Sequence, residues 1–228
     1  MSFAIDTGDS GGSQGPWISW SSNGSPEKGF PPRSWVLRDR DDSGDKIEDV
    51  VPGFINGCVL DLDSLKIGWE RDAGLRQAPE RRWNPTVSQA TPRPDESRKA
   101  SGSHAWSRAL SVRCAIGGGR AATWEQGSFA AYEAFAKVAK QISAQHPGDN
   151  TLPVIKQVGV EKRDLPNGSA NIPILEVVKW VPRPECLKEG APVIDTGDFG
   201  TPAPKQQAAP PKQQVKAAEP EPADSDEF

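Results

Sequence analysis

Residues 106–116 read Trp-Ser-Arg-Ala-Leu-Ser-Val-Arg-Cys-Ala-Ile, and this stretch decides the fold. Trp106, Arg108, Leu110, Val112, Cys114 and Ile116 share one register of a period-two pattern, and all but Arg108 are apolar or mixed. Successive side chains of a strand point to opposite faces, so the run predicts a strand with one buried face. Gly117, Gly118 and Gly119 end it. Downstream, Phe129, Tyr132, Phe135, Val138 or Ala139, and Ile142 recur at helical spacing, while Glu133, Lys137, Lys140 and Gln141 lie off that stripe. Ser128 is the expected N-cap, and His146-Pro147-Gly148 the stop. Residues 152–162 and 172–181 predict two strands joined through a turn containing Pro166-Asn167-Gly168. Upstream, residues 57–62 and 65–69 alternate and fit one bent strand or a tight hairpin. Trp35-Val36-Leu37 reads as a short first strand, followed by a charged turn region over 39–49. The chain is therefore read as mainly β with one main α-helix. Three strand segments, a helix and a two-stranded hairpin are the element order of an OB-fold, a partial antiparallel barrel of five strands.

Between the bent strand and residue 106 the periodicity vanishes. Residues 71–105 are dominated by Pro, Gly, Ser and Arg, and a loop this long inside a compact domain is usually functional or disordered. Residues 71–120 hold ten bases against four acids, an excess of six. Single strands of nucleic acid are held by cations that track phosphates and by flat groups on which bases stack. Arg71, Arg76, Arg81, Arg82, Trp83, Arg93, Arg98, Lys99, Trp106 and Arg108 supply both, with Trp69 just outside. Lys162 and Arg163 sit near the last hairpin turn, and the loop between strands four and five is one wall of an OB groove. The bland alternative is a solvated charged loop with a Trp capping the core.

The ends have their own character. Residues 1–34 form a Gly/Ser/Pro-rich arm in which Trp17, Ile18, Trp20 and Phe30 predict local packing. A core is expected over 35–185, then a Pro/Ala/Gln/Lys linker over 186–218. Residues 219–228 read Glu-Pro-Glu-Pro-Ala-Asp-Ser-Asp-Glu-Phe, with five acids and no base. Formal net charge is −4, so without these ten residues the chain carries +1. Such a tip has too little apolar surface to fold alone. It suits docking of Phe228 in an apolar pocket ringed by bases, or competition with a polyanion for a basic groove, or plain solubility.

Several chemistries find no support. Cys58, Cys114 and Cys186 are odd in number and far apart, which argues against a disulfide framework and for a reducing compartment. His104 and His146 add no metal-ligand spacing. Ile-Asp-Thr-Gly-Asp occurs at 5–9 and at 194–198, but neither copy sits on the rigid strand-turn scaffold that a paired-carboxylate protease needs. Gly117-Gly118-Gly119-Arg-Ala-Ala lacks the acid about twenty residues on that a dinucleotide site requires. No catalytic site and no cofactor are predicted. The start has no basic region followed by an apolar run, and no span approaches twenty apolar residues, so a cytoplasmic protein without membrane partners is expected.

Taken together, these parts resemble phage single-stranded DNA-binding proteins, which join an OB-fold core, a Pro/Gln-rich linker and an acidic tip closing on Phe. The match lies in Asp224-Ser225-Asp226-Glu227-Phe228 and in Pro16-Trp17-Ile18-Ser19-Trp20 with Pro32-Arg33-Ser34-Trp35. The resemblance implies that Asp224, Asp226, Glu227 and Phe228 contact replication and recombination proteins, and that the tail competes with DNA for the groove. The bacterial version carries Ile-Pro before its last Phe and this chain does not, so the partner's identity does not carry over. The function expected is sequence-independent single-stranded DNA binding, with stoichiometry open. The alternative is a phage structural or assembly protein whose acidic tail keeps it soluble until docking.

Overall fold

The computed structural model describes residues 15–40, 43–73, 79–95, 105–166 and 168–188. Their strands are β1 (Trp17–Ser21), β2 (Ser34–Arg40), β3 (Lys46–Val51), β4 (Cys58–Arg71), β5 (Glu80–Trp83), β6 (Ser107–Ile116), β7 (Arg120–Gln126), β8 (Leu152–Leu165) and β9 (Gly168–Val181). One helix, α1 (Phe129–Gln145), separates β7 from β8. The strands lie in one sheet in the order β3-β2-β1-β7-β6-β4-β8-β9, with β5 added to β4. All pairings are antiparallel except that of β1 with β7. The sheet curls into an open half-barrel, so the fold is mainly β and OB-like.

The bend expected near residue 63 is real, and the strand is continuous through it. The pairing of β4 with β6 shifts register between Asp61 and Lys66. Such an irregularity turns a strand. The first residues of β4 thereby pair with β8 (Cys58 opposite Ile155), and the last pair with both β6 and β5. The barrel order is thus β4, β6, β7, α1, β8, β9, which corrects the sequence reading. Trp35-Val36-Leu37 belongs to β2 in an added amino-terminal meander, not to the first barrel strand. The three glycines do not lead to the helix. They form a tight turn in which Gly118 takes φ of 76°, and the chain returns as β7 before α1 begins. The charged region over 39–49 also ends in a strand, β3.

Helix α1 keeps the predicted punctuation: the Ser128 hydroxyl accepts from the Ala131 amide at 3.3 Å. Ala130, Ala134, Phe135, Val138 and Ile142 are buried, whereas Phe129 is 41 % exposed at the helix start. The core it covers is unusually aromatic. Trp35 lies 5.2 Å from Trp20, 4.6 Å from Phe54 and 5.6 Å from Trp124, centroid to centroid, and Trp124 lies 6.1 Å from Phe135. Tilted and edge-on pairs at these separations are favourable beyond their buried area. Trp35 also donates its indole N–H to Gln157 on β8 at 2.7 Å, and Trp20 donates to the Asn171 carbonyl on β9 at the same distance. Ser22 accepts twice from Asn171: its hydroxyl takes the Asn171 backbone N–H at 2.7 Å, and its carbonyl takes the side-chain amide at 2.9 Å. Polar side chains therefore bridge β1 to β9 across the opening of the half-barrel.

Gly53 shows how tightly the meander is seated. Its φ is 51°, and a Cβ there would collide with the Trp35 indole. Gly53→Ala is expected to destabilise the fold by about 2 kcal/mol, from positive φ plus overpacking. Thermal unfolding followed by circular dichroism measures it, and an unchanged midpoint would contradict the packing. No helix among the described residues is long and apolar enough to cross a membrane.

Candidate nucleic-acid interface

Two cross-strand rows on the inner face of the sheet bring together much of the predicted basic stretch. Trp69 on β4 stands opposite Arg82 on β5 and Arg108 on β6. Two residues on, Arg71 stands opposite Glu80. Trp106, one residue before β6, continues this second row. The rings are the floor and the guanidinium groups the cover. Arg108 lies 4.0 Å from the Trp69 centroid, while Arg71 and Arg82 lie 4.9 and 5.1 Å from the Trp106 centroid. A guanidinium within about 6 Å of an indole face is held by the ring quadrupole and keeps its charge. Both rings are buried, and Trp69 donates its indole N–H to the Thr91 carbonyl at 3.1 Å, so the segment 84–95 crosses it. From the sequence these residues are expected as cations and stacking rings; in the structure the face of each ring carries an arginine guanidinium.

Glu80 sets the charge of this cluster. Its carboxylate accepts from Arg71 at 2.6 and 2.7 Å and from Arg82 at 3.2 Å. Burial alone would raise its pKa, but the bonds from Arg71 and Arg82 and their charges outweigh it and hold Glu80 below the ordinary glutamate value. Arg82 remains open, with 59 % of its side chain exposed. Folding of β5 onto β4 is possible because residue 68 is glycine. A Cβ there would collide with the Arg82 carbonyl oxygen and lie 2.8 Å from the Trp83 Cα. Gly68→Ala is accordingly expected to peel β5 away without unfolding the barrel. Amide exchange over 80–83 should accelerate at least tenfold while the remaining strands stay protected.

The other predicted residues divide. Arg81 points to the outer face, paired with Glu70 and with Glu125 at 2.7 Å each. Trp83, opposite Gly68, is half-buried on that same outer face. Arg93 is exposed within the segment 84–95. Lys162 is exposed near the β8–β9 tip, and Arg163 is engaged by Glu133 at 3.1 Å and Glu161 at 3.0 Å, 5.7 Å from the Phe129 ring. That tip shares an end of the barrel with the arginine–tryptophan rows. The Ser107 hydroxyl bonds the carbonyls of Glu70 and Gly127, and Gly127 leads through Ser128 to Phe129. Arg76, Arg98, Lys99, Asp224, Asp226, Glu227 and Phe228 lie outside the described residues.

Sequence reasoning missed Glu80 as a member of the cluster, although its place two residues before Arg82 was a usable signal once a strand was assigned there. Comparison with protein-family models, curated proteins and solved structures finds no match.

Proposed function

We propose that this chain is a sequence-independent single-stranded DNA-binding protein of the kind phages use in replication and recombination. The observation that carries the reading is the pair of rows Arg82–Trp69–Arg108 and Glu80–Arg71–Trp106 on the inner face of an OB-like half-barrel. Cations fixed on aromatic supports match a ligand that offers a phosphate at every step and a flat base between. Guanidinium planes serve for both contacts, bonding phosphate at the edge and stacking at the face. In this reading residues 219–228 recruit partner proteins, with Asp224, Asp226, Glu227 and Phe228 as the contacts.

The test is anisotropy of a labelled oligo-dT titrated with the full chain, repeated with duplex and at raised salt. Saturable binding that weakens steeply with salt and is poorer for duplex supports the reading, because bound cations are released on association. Removal of residues 219–228 is expected to leave that affinity unchanged or tighter. Absence of binding at low salt sinks the proposal.

One observation favours the assembly alternative. Val158, Ile174 and Val178 on the β8–β9 hairpin are 50 %, 38 % and 49 % exposed, a concentration of apolar surface that suits subunit contact. Under that reading the chain forms concentration-dependent oligomers in sedimentation and ignores oligo-dT.

A further inference from the structure

We infer that Glu80 occupies the position of a backbone phosphate, and that the space between Arg71 and Arg82 over Trp106 is a subsite for one phosphodiester. The inference rests on the DNA-binding reading and adds to it a residue that sets affinity from within the fold. A carboxylate and a phosphate present the same geometry to a guanidinium fork, two oxygens accepting parallel N–H bonds. Glu80 divides its two oxygens between two guanidinium groups, as a phosphodiester can divide its two free oxygens: Oε2 accepts from Arg71 Nε and Nη2, and Oε1 accepts from Arg82 Nη2.

The surroundings suit exchange better than a permanent structural pair. Arg71 is fixed, with 13 % of its side chain exposed, whereas Glu80 is 35 % and Arg82 59 % exposed. The anchored cation lies deeper, against the Trp106 ring, and the carboxylate and the second cation face solvent. A surface ion pair of this kind is weak, so a polyanion can displace it. The Trp106 indole, which both guanidinium groups cover, is buried and its N–H has no acceptor among the described residues. Glu80 also sits on the short β5, which is attached to the sheet along one edge only. The carboxylate can therefore swing aside without disturbing the barrel.

The experiment compares the full chain with Glu80→Gln and with Glu176→Gln, which removes an equal charge from the exposed position opposite Lys156 on β9. Each is titrated with labelled oligo-dT at several salt concentrations, after thermal midpoints confirm that all are folded. Glu80→Gln is expected to bind about threefold to tenfold more tightly, the size of the competing pairs it removes, and Glu176→Gln to bind like the parent. Adding Arg82→Gln to Glu80→Gln should abolish the gain, since the subsite then lacks its second arm. Equal tightening by both single variants would make the effect one of net charge and overturn the inference. Unchanged affinity of Glu80→Gln, with the parent binding normally, would overturn it while leaving the DNA-binding reading intact. A parent chain that does not bind oligo-dT removes both.

Discussion

Replacing Trp35 with alanine should cost about 3–5 kcal/mol, the range for loss of a large buried aromatic, and leave the chain unfolded or nearly so. Trp35 is fully buried, and its ring touches those of Trp20, Phe54 and Trp124 at once. These neighbours come from β1, the turn at Gly53–Ile55 and β7, so one deletion removes contacts among three separate pieces of chain. The void cannot close by a simple shift, because Gly53 already packs its backbone against the indole. The substitution also strands Gln157, whose side-chain oxygen accepts the Trp35 N–H from across the barrel. Gln157 is half-buried, so the loss of its partner adds about 1 kcal/mol to the cost. Trp35→Phe separates the two contributions, since it keeps most ring contacts and loses only the hydrogen bond. Equilibrium unfolding in denaturant provides the readout. A loss below about 1 kcal/mol for Trp35→Ala would mean that the barrel holds without its amino-terminal meander.

That meander marks the limit of what could be read from the residues. The helix, its Ser128 cap and its stop were legible because each depends on contacts within a few positions. The bent β4 and the last hairpin were legible because alternation survives a local register shift. Strand β7 was not. Its Arg120, Ala122 and Trp124 do alternate inward, but two adjacent alanines blur the pattern, and the glycines before it look like the end of an element. Strands β1 and β3 escaped for another reason: short strands depend on tertiary partners, and β1 finds one of its partners about a hundred residues away in β7. The basic stretch was recognised as a composition, yet its internal order could not be. Whether Arg81 or Arg82 faces the groove turns on the pairing of β5 with β4, and one residue of register exchanges the two.

The same parity gives the sharpest functional test of the site. Arg82→Gln together with Arg108→Gln should weaken oligo-dT binding about a hundredfold at low salt, taking each phosphate contact as worth about a factor of ten. The salt slope should fall by about 1.4, because a single strand releases about 0.7 of a counterion per phosphate neutralised. Stability should fall only slightly, since Arg82 is largely exposed and the stem of a glutamine at position 108 still covers part of the Trp69 ring. Arg81→Glu should do the reverse. It would set three carboxylates together on the outer face, where Glu70 and Glu125 now bracket Arg81, and cost about 2 kcal/mol of stability. Its effect on affinity should stay within about twofold, the small long-range change expected from altered charge screened by salt. Adjacent residues with opposite phenotypes, one in binding and one in folding, follow only if the inner face carries the ligand. Were Arg81→Glu to weaken binding as much as the inner-face pair while remaining folded, the ligand would have to lie on the outer face, and the arginine–tryptophan rows would be a cap on the core.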